Sequence, residues 1–341
     1  MLKHLIGISL INILAIHNVI AEEPVKNSIL LTLPKIDWAL EINKTDLVLE
    51  QKEIASNGKN ARFFAKDTKS GIIISGYLEE HPKAGTPEKC RDFYWAKAQK
   101  SPFKKDNVVQ SDFGEMAIVE YIVPEHKGIK LNQKNVNAYL TKGCFWIDIH
   151  LSKTNFKEDE KELFNSILRN ITFSDKKQKV GVNYGISNHG ILKLDIPASW
   201  HDEVHQESDN PPVVITLNPP SDFSSKVLIS VLWHKNEKDD SNSPQETKKF
   251  VQDAGNKALH YAVENILDIR ELKRNGRTGY FYTLTDKAPK PDEYKYMTQG
   301  AYGTGKYLLT FTILTNEKNS EVTSKALNII ADSKEVLNKR T

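Results

Sequence analysis

Two histidines stand four residues apart in the segment His201 to His205. On a helix, residues four apart share one face, and two imidazoles placed in this way can hold a metal ion. The zinc-protease motif has Glu directly after the first histidine, whereas this sequence has Asp202 there. The segment also leads into a stretch rich in Asp, Asn and Pro. The sequence therefore favours a solvated turn and leaves His201 and His205 as a weak metal-site alternative.

Asp148 and His150 alternate with Trp146 along one predicted strand, so the three side chains point to the same face of a sheet. A carboxylate beside an imidazole can orient and polarise it, as general acid–base catalysis requires. The only nucleophile that the sequence puts nearby is Cys144. A similar strand later in the chain has Thr310 in place of the carboxylate. This pattern favours an ordinary sheet face or a binding patch over a catalytic pair.

The sequence contains two cysteines, Cys90 and Cys144. In an exported protein such a pair usually forms a disulfide. This disulfide would close a loop of about 55 residues, worth about 4 kcal/mol in the chain-entropy model. A metal site or a reactive thiol is the weaker alternative, because neither cysteine has a His or Cys at ligand spacing. We therefore predict a disulfide between Cys90 and Cys144.

Three aromatic residues, Phe93 to Trp95, are consecutive in a predicted helix. Successive helical residues are about 100° apart, so the three side chains cannot share one buried face. A similar helix later in the chain has Gln252 at the position of Trp95, which predicts that Trp95 faces solvent. Trp95, Trp146 and His150 form the predicted partner-binding set. The alternative is that a loop or the second half of the chain covers Trp95.

The segment from Gly300 to Gly305 is rich in glycine, as phosphate-binding loops are. It lies between two predicted strands rather than before a helix, and it lacks the Gly-Lys-Ser/Thr ending. We predict a hairpin turn here. The sequence assigns no residue to a cofactor and none to catalysis.

The elements that hold these residues follow a predicted export signal. Lys3 precedes the mostly apolar run from Leu5 to Ile20, and Val19 and Ala21 suit a cleavage before Glu22. The run is short for a bilayer core of about 30 Å, which favours a cleaved signal peptide over a membrane anchor. We predict removal of residues 1–21 and a periplasmic or extracellular product without a transmembrane segment.

The charge of the chain limits the class of partner. Lys and Arg number 47, and Asp and Glu number 44, giving a formal net charge of +3. This near balance argues against binding to a nucleic acid and against a polybasic segment that binds a membrane surface. Both kinds of binding need clustered positive charge on the protein. A length of 341 residues suggests about two domains.

The sequence is similar to itself. Gly114 falls on Gly276, Gly143 on Gly305 and Trp38 on Trp200, each 162 positions later. Such self-similarity predicts two copies of one structural unit. Because both tryptophans would recur, we expect them to be core residues. The predicted boundaries are a first module at 22–173, a linker at 174–190 and a second module at 191–341.

Each predicted module contains short strands and a central helix. The helices start at Thr86-Pro87 and at Ser243-Pro244, where Glu246 completes a capping box. In the second helix Phe250 begins an apolar stripe that repeats every four residues. The long helix between strands requires a crossover, whereas the other strands suggest hairpins. The fold class is therefore α+β, an antiparallel or mixed sheet flanked by helices.

This order of elements resembles the PsbP-like fold, which also includes the DcrB-like envelope proteins. The resemblance rests on "LDIPASW" (Leu194 to Trp200), a helix starting at Ser243-Pro244, "NGRTGYFYTLT" (Asn275 to Thr285) and "GKYLLTFTIL" (Gly305 to Leu314). It covers nearly all of the predicted mature chain. It implies a non-enzymatic accessory or binding role, but it transfers no metal, cofactor or partner residue to this sequence.

The functional expectation is a non-enzymatic exported protein that binds an unknown protein or small ligand, or assists assembly, in the cell envelope. The alternative is a metal-dependent hydrolase or another enzyme with a site in one module. The sequence leaves the partner and the oligomeric state open.

Overall fold

The structure is a computed structural model. It describes residues 27–34, 36–43, 46–175, 179–206, 212–220, 225–233, 243–291, 293–318 and 320–336. The predicted signal peptide, residues 1–21, lies outside the described residues. Antiparallel sheet predominates and four helices flank it within these ranges, which confirms the predicted α+β class.

The first half of the chain, residues 27–175, contains ten strands and two helices in the described ranges. They are β1 (Ser28–Leu31), β2 (Trp38–Asn43), β3 (Leu47–Ile54), β4 (Asn60–Asp67), β5 (Ile73–Glu80), α1 (Pro87–Ala98), β6 (Asp106–Phe113), β7 (Met116–His126), β8 (Ile129–Lys142), β9 (Phe145–Lys153), α2 (Lys161–Leu168) and β10 (Ile171–Asp175).

The second half, residues 179–336, follows the same order of elements. They are β11 (Lys179–Gly185), β12 (Ile191–Pro197), β13 (His201–Gln206), β14 (Val213–Asn218), β15 (Ser225–Trp233), α3 (Pro244–Ala258), β16 (Arg270–Arg274), β17 (Arg277–Thr285), β18 (Tyr296–Thr304), β19 (Tyr307–Thr315), α4 (Glu321–Ala331) and β20 (Lys334–Val336).

Strand pairing is also the same in the two halves. The large sheet of the first half runs β3-β4-β5-β9-β8-β7-β6, and that of the second runs β13-β14-β15-β19-β18-β17-β16. Each half adds a group of three strands, β1-β2-β10 or β11-β12-β20. The first group is a separate sheet, whereas β11 of the second also pairs with β3. The central helix of each half connects two strands that are not neighbours, as the predicted crossover requires.

The two large sheets meet at β3 and β13, where Lys52 pairs antiparallel with Val204. These two residues hold the same position in their halves, as the paired residues of successive strands show. Pairing leads from Lys52 through Phe63 and Gly76 to Ile149, and from Val204 through Ile215 and Ile229 to Phe311, and Ile149 corresponds to Phe311. Because equivalent residues face each other, a local twofold axis relates the sheets at this pair.

A buried ion pair crosses the same junction. The Lys52 ammonium donates to the Asp202 carboxylate, and both side chains are at most 2% exposed. The Tyr184 hydroxyl, from β11, donates to the other carboxylate oxygen at 3.0 Å. These three side chains link β3 of the first half with β11 and β13 of the second.

The hydrophobic core is continuous across the junction. A single cluster of buried side chains includes Leu40 and Ile149 of the first half and Leu194 and Phe311 of the second. Trp38 and Trp200 are both buried, as predicted. Each half also has a smaller apolar cluster on the opposite face of its large sheet, beneath α1 or α3. The large sheets are therefore covered on both faces.

Both central helices begin where the sequence predicts. The Thr86 and Ser243 hydroxyls accept the backbone N–H of Lys89 and Glu246, at 3.4 and 3.3 Å, and a proline follows each cap. The predicted Phe250 stripe is displaced: the buried residues of α3 are Thr247, Val251 and Gly255, and Phe250 is 48% exposed.

Some sequence expectations are wrong. The predicted 174–190 linker contains β11, whose residues pair along β12. The predicted equivalence of Trp38 and Trp200 fails, because Trp38 begins β2 whereas Trp200 follows β12. The glycine-rich segment does form a hairpin, but its turn is only Gly305 and Lys306, since Gly300 is already in β18.

None of the described helices combines the length and the apolar character that a bilayer crossing needs.

Candidate functional site

The face of the first sheet that α1 covers carries most of its polar side chains. Alternation along β9 turns Trp146, Asp148 and His150 to this side, while Ile147 and Ile149 face the main core. The predicted common direction of the first three side chains is therefore confirmed. Their neighbours across the pairing register come from β5 and β8.

Asp148 and His150 each bond to a different asparagine of β8. The Asn137 amide donates to the Asp148 carboxylate at 3.2 Å, and His150 Nε2 lies 3.0 Å from Asn135 Oδ1. Burial raises the pKa of Asp148 to about 6, against the lowering effect of the Asn137 bond. Burial also lowers the pKa of His150 to about 4. The imidazole is therefore neutral at pH 7 and is held by an amide rather than by the carboxylate.

The predicted disulfide is not formed. Cys90 is buried beneath α1, where its thiol donates to the Ile147 carbonyl at 3.5 Å, whereas Cys144 is exposed in the turn between β8 and β9. Both cysteines are free. Burial raises the pKa of the Cys90 thiol to about 12, with smaller contributions from Asp148 and Glu79. The thiol therefore stays protonated at neutral pH, whereas the thiolate is the nucleophilic form.

Trp95 does not face solvent; it is covered, as the alternative interpretation expected, although by strands of its own half. Its side chain is 5% exposed, and its ring centroid lies 5.4 Å from that of Tyr121. The residues that cover it are Tyr121 and Val123 of β7 and Leu131 of β8, which belong to the same apolar cluster. By strand pairing, Leu284 of β17 holds the position of Tyr121 in the second half.

Trp146 is also buried, at 6% exposure. The His81 ring stacks on its indole with centroids 3.8 Å apart, and Phe93 meets it edge-on at 5.5 Å. Gly85 lies so close that a Cβ there would come within 2.7 Å of the indole. Two of the three predicted partner-binding residues are thus enclosed, and the third, His150, is half-buried.

Several buried polar atoms of this face have no hydrogen-bond partner among the described residues. They are Tyr139 Oη, Asn137 Oδ1 and Trp146 Nε1. Nearby, the Tyr94 hydroxyl donates to the Glu79 carboxylate. Burial raises the pKa of both Tyr94 and Tyr139, and Glu79 raises that of Tyr94 further. Unpaired buried polar atoms are costly and uncommon in folded proteins.

The matching face of the second half contains a pocket of about 150 Å³ between α3 and the sheet. In the first half, one row across the sheet reads Tyr77, Asp148, Tyr139. In the second half, the same row reads Ser230, Thr310, Ala301. On the helices, Tyr94 stands eight residues after its cap and Val251 eight residues after the other cap. The pocket is therefore lined at two of the three positions that tyrosines occupy in the first half, those of Ser230 and Val251.

The polar wall of this pocket is a chain of hydrogen bonds. The Tyr282 hydroxyl donates to Gln299 Oε1, and Gln299 Nε2 donates to the Thr312 hydroxyl at 3.1 Å. Burial raises the pKa of Tyr282 to about 12, so this hydroxyl is a donor at neutral pH. Thr310 and Ser230 add two further hydroxyls to the lining.

A second groove, of about 380 Å³, lies in the first half at the start of α1. Glu88, Asp112 and Glu115 border it, together with Thr141 and Phe173. All three carboxylates are on exposed residues, so the groove lacks the buried polar groups seen on the helix-covered faces.

The histidines at 201 and 205 are on β13 rather than on a helix or a turn, so the predicted solvated turn is wrong. Four strand residues span about 13 Å, too far for two imidazoles to share one ion. His201 is buried at 4% exposure, whereas His205 is exposed. Within the described ranges, no three His, Cys, Asp or Glu side chains are grouped to hold a metal.

Neither the second-half pocket nor the tyrosines at the corresponding place in the first half were predicted from the sequence. A signal for them was present, because three large residues of one half match three small residues of the other. These pairs are Tyr77 with Ser230, Tyr94 with Val251, and Tyr139 with Ala301. The residues of the last pair are 162 positions apart, the same spacing as Gly114 and Gly276.

Comparisons with known proteins give little. No protein-family model matches the sequence, and no curated protein matches it. Among solved structures, the solution structure of cyanobacterial PsbP (CyanoP) from Synechocystis sp. PCC 6803 is similar at 12% sequence identity and a TM-score of 0.32. The match covers 46% of this chain and 92% of that one. A likeness this weak carries no argument about this protein.

Proposed function

We propose that this chain is a non-catalytic binding or accessory protein of the cell envelope. The observation that carries the proposal is the state of the helix-covered face in the first half. Its thiol is held protonated, its imidazole is held neutral, and its buried polar atoms include Tyr139 Oη without a protein partner. Groups in these states suit hydrogen bonding to a bound molecule better than nucleophilic attack.

We propose further that the chain consists of two copies of one PsbP-like module. The support is the matching order of ten strands and two helices in residues 27–175 and 179–336. With β11 as its first strand, the second copy begins near residue 179 rather than at 191. The equivalent position of Lys52 and Val204 at the junction fits two copies that associate edge to edge.

Export is part of the same proposal, since residues 1–21 have the pattern of a cleavable signal peptide. We expect the mature chain to begin at Glu22 in the periplasm or the extracellular space. The test is N-terminal sequencing of the full chain expressed with its leader and recovered from the exported fraction. An intact leader on the recovered protein would contradict export by cleavage.

Binding and catalysis can be separated with two substitutions on the first-half face. The purified full chain and the variants Cys90→Ala and Asp148→Asn are assayed against ester, phosphate-ester and peptide substrates, with and without Zn²⁺ or Mg²⁺. We expect no difference in turnover among the three proteins, because neither residue acts on a substrate. Turnover by the native chain that either substitution abolishes would overturn the proposal.

A further inference from the structure

We infer that the pocket between α3 and the second sheet is a binding site for a small uncharged molecule that carries an amide or hydroxyl group. The inference rests on the proposed binding role and names the ligand class for one of its two helix-covered faces. The pocket, of about 150 Å³, lies among Ser230, Phe250, Gln299, Thr310 and Thr312.

The space results from a change in side-chain size rather than from an irregular backbone. The two halves have the same strand register at this place, so corresponding Cβ atoms hold corresponding positions. In the first half, the Tyr94 ring stacks on Tyr139 and meets Tyr77 edge-on, each with centroids 6.3 Å apart. In the second half, Ser230 and Val251 stand at the positions of Tyr77 and Tyr94 and line the pocket, and Ala301 stands at the position of Tyr139.

The lining supplies hydrogen bonds from fixed positions. Gln299 is held at both ends of its amide, by Tyr282 and by Thr312. This arrangement holds the amide in one position between two hydroxyl groups. An amide nitrogen has two N–H groups, and each hydroxyl both donates and accepts, so the wall has capacity beyond its own internal bonds. A ligand with one donor and one acceptor group can use that capacity.

The charge of the ligand follows from the same lining. No residue that borders the pocket is Lys, Arg, Asp, Glu or His. A charged ligand entering it would lose water without gaining an opposite charge, which is costly. The first-half face differs, because Asp148 stands where the second half has Thr310. The second-half pocket therefore favours neutral molecules.

Phe250 supplies the apolar side of the site. It is on α3 at the rim of the pocket and is 48% exposed. Its counterpart Phe93 packs instead on the rings of Trp146 and His81. A ring at the rim can cover a flat ligand whose polar group reaches Gln299 and Thr310.

The volume limits the ligand to the size of one ring. Apolar cavities of about 150 Å³ hold benzene-sized molecules. A ligand of that size with a polar group gives a Kd between about 10 µM and 1 mM at the usual efficiency per atom. Benzamide fits both requirements. Benzoate and benzamidinium have nearly the same shape but carry a negative or a positive charge.

The test uses these three probes on the full chain, with binding followed by ¹H–¹⁵N chemical-shift titration. We expect benzamide to shift amide signals of α3, β18 and β19, and both charged probes to bind at least tenfold more weakly. Equal binding of benzoate or benzamidinium, or benzamide shifts confined to other regions, would overturn the inference.

A matched variant closes the pocket as the first half closes its own. Val251→Tyr with Ala301→Tyr is expected to weaken benzamide binding more than tenfold. Ile266→Ala, at an exposed residue that does not border the pocket, is the control and should leave benzamide binding unchanged. If the double variant does not fold, Gln299→Leu keeps the volume and removes the amide. It should weaken benzamide at least fivefold while toluene binding is unchanged. Unchanged benzamide binding in Gln299→Leu contradicts the site.

The outcomes also separate this inference from the proposed function. Benzamide binding that survives closure of the pocket contradicts the pocket alone, because the chain would still bind a small molecule elsewhere. Turnover lost in Asp148→Asn contradicts the proposed non-catalytic role whatever the pocket binds.

Discussion

The two faces of each large sheet have diverged to different degrees. On the core side, Ile147 and Ile149 of β9 match Leu309 and Phe311 of β19, apolar for apolar. On the helix side of the same strands, Asp148 and His150 match Thr310 and Thr312. The core side restricts substitution because its side chains form one continuous buried cluster, and close packing tolerates little change in volume or polarity.

The helix-covered faces therefore show where the halves differ in chemistry. The first is filled with tyrosine rings and carries a carboxylate and an imidazole. The second is neutral and contains an open pocket. One scaffold thus supports a closed, ionisable face and an open, uncharged one. The following substitutions test how far each difference determines stability.

The largest effect is expected at the junction, where the equivalent positions hold different residues, Lys52 and Val204. Replacing Lys52 by Met leaves the Asp202 carboxylate buried without its counter-charge. We expect the free energy of unfolding to fall by about 3 to 5 kcal/mol. Chemical denaturation at pH 7 measures the change.

The control for the junction is the double variant Lys52→Met with Asp202→Leu. Removing both charges replaces the ion pair by apolar packing, so the double variant should recover most of the loss. A double variant as unstable as the single one would show that the lysine acts by packing and not through the carboxylate.

The second effect concerns the tyrosines of the first-half face. Tyr139→Ala gives this face the residue found at Ala301, and it removes a ring that is 0% exposed. We expect a loss of about 3 kcal/mol in the free energy of unfolding, because the surrounding side chains close the cavity only in part. Ala301→Gly in the second half is a size-reducing control that removes far less volume.

Tyr139→Phe tests the hydroxyl alone. Tyr139 Oη has no hydrogen-bond partner in the described part of the chain, so its removal should change stability by no more than about 0.5 kcal/mol. A loss close to that of Tyr139→Ala would mean that the hydroxyl is bonded in solution.

The sequence predicted the elements whose patterns are local. Strand β9 shows alternation along its sequence, and both central helices carry a cap followed by proline. The strands it missed lack that alternation for physical reasons. Edge strand β6 is almost fully exposed, so it needs no apolar side. In β11, Gly185 allows Glu50 to approach, and its glycines made the segment resemble a linker.

The site was harder to predict because its features depend on contacts between distant segments. Trp95 is covered by Tyr121 and Val123 of β7, which lie about 26 residues further along the chain. The Asp202 carboxylate meets Lys52 from a strand 150 residues away. By contrast, the common face of Trp146, Asp148 and His150 followed from strand alternation alone. Local periodicity thus gave side-chain direction, but not what covers each side chain.

The free energy of unfolding should depend on pH through Asp148 and His150, which only the first-half face carries. Asp148 has a pKa raised to about 6 from 3.8, so its contribution makes the fold less stable as pH rises through that window. His150 has a pKa lowered to about 4 from 6.5, so its contribution makes the fold more stable as pH rises from 4 to 6.5. The two contributions oppose each other.

Asp148→Asn removes the first contribution and leaves the second. The gain in unfolding free energy between pH 4 and pH 6.5 should then exceed that of the native chain by about 1 to 2 kcal/mol, since both side chains are half-buried. Denaturation at the two pH values measures it. Thr310→Asn, at the corresponding position, is the control and should leave the pH dependence unchanged. An unchanged slope in Asp148→Asn would contradict the burial of this carboxylate.

The smallest effect is expected at the helix caps, which the two halves share. Thr86→Ala and Ser243→Ala each remove a hydroxyl that accepts a backbone N–H, and each should cost about 1 kcal/mol of unfolding free energy. Ser243 also donates to the Glu246 carboxylate at 3.0 Å, so its loss should be slightly the larger. The Gly variants at both positions should cost only a few tenths of that. Similar losses of unfolding free energy would mean that both helices are anchored alike, so that the halves differ in the side chains beneath the helices. A loss in one half only would mean that the halves also differ in how the helix itself is held.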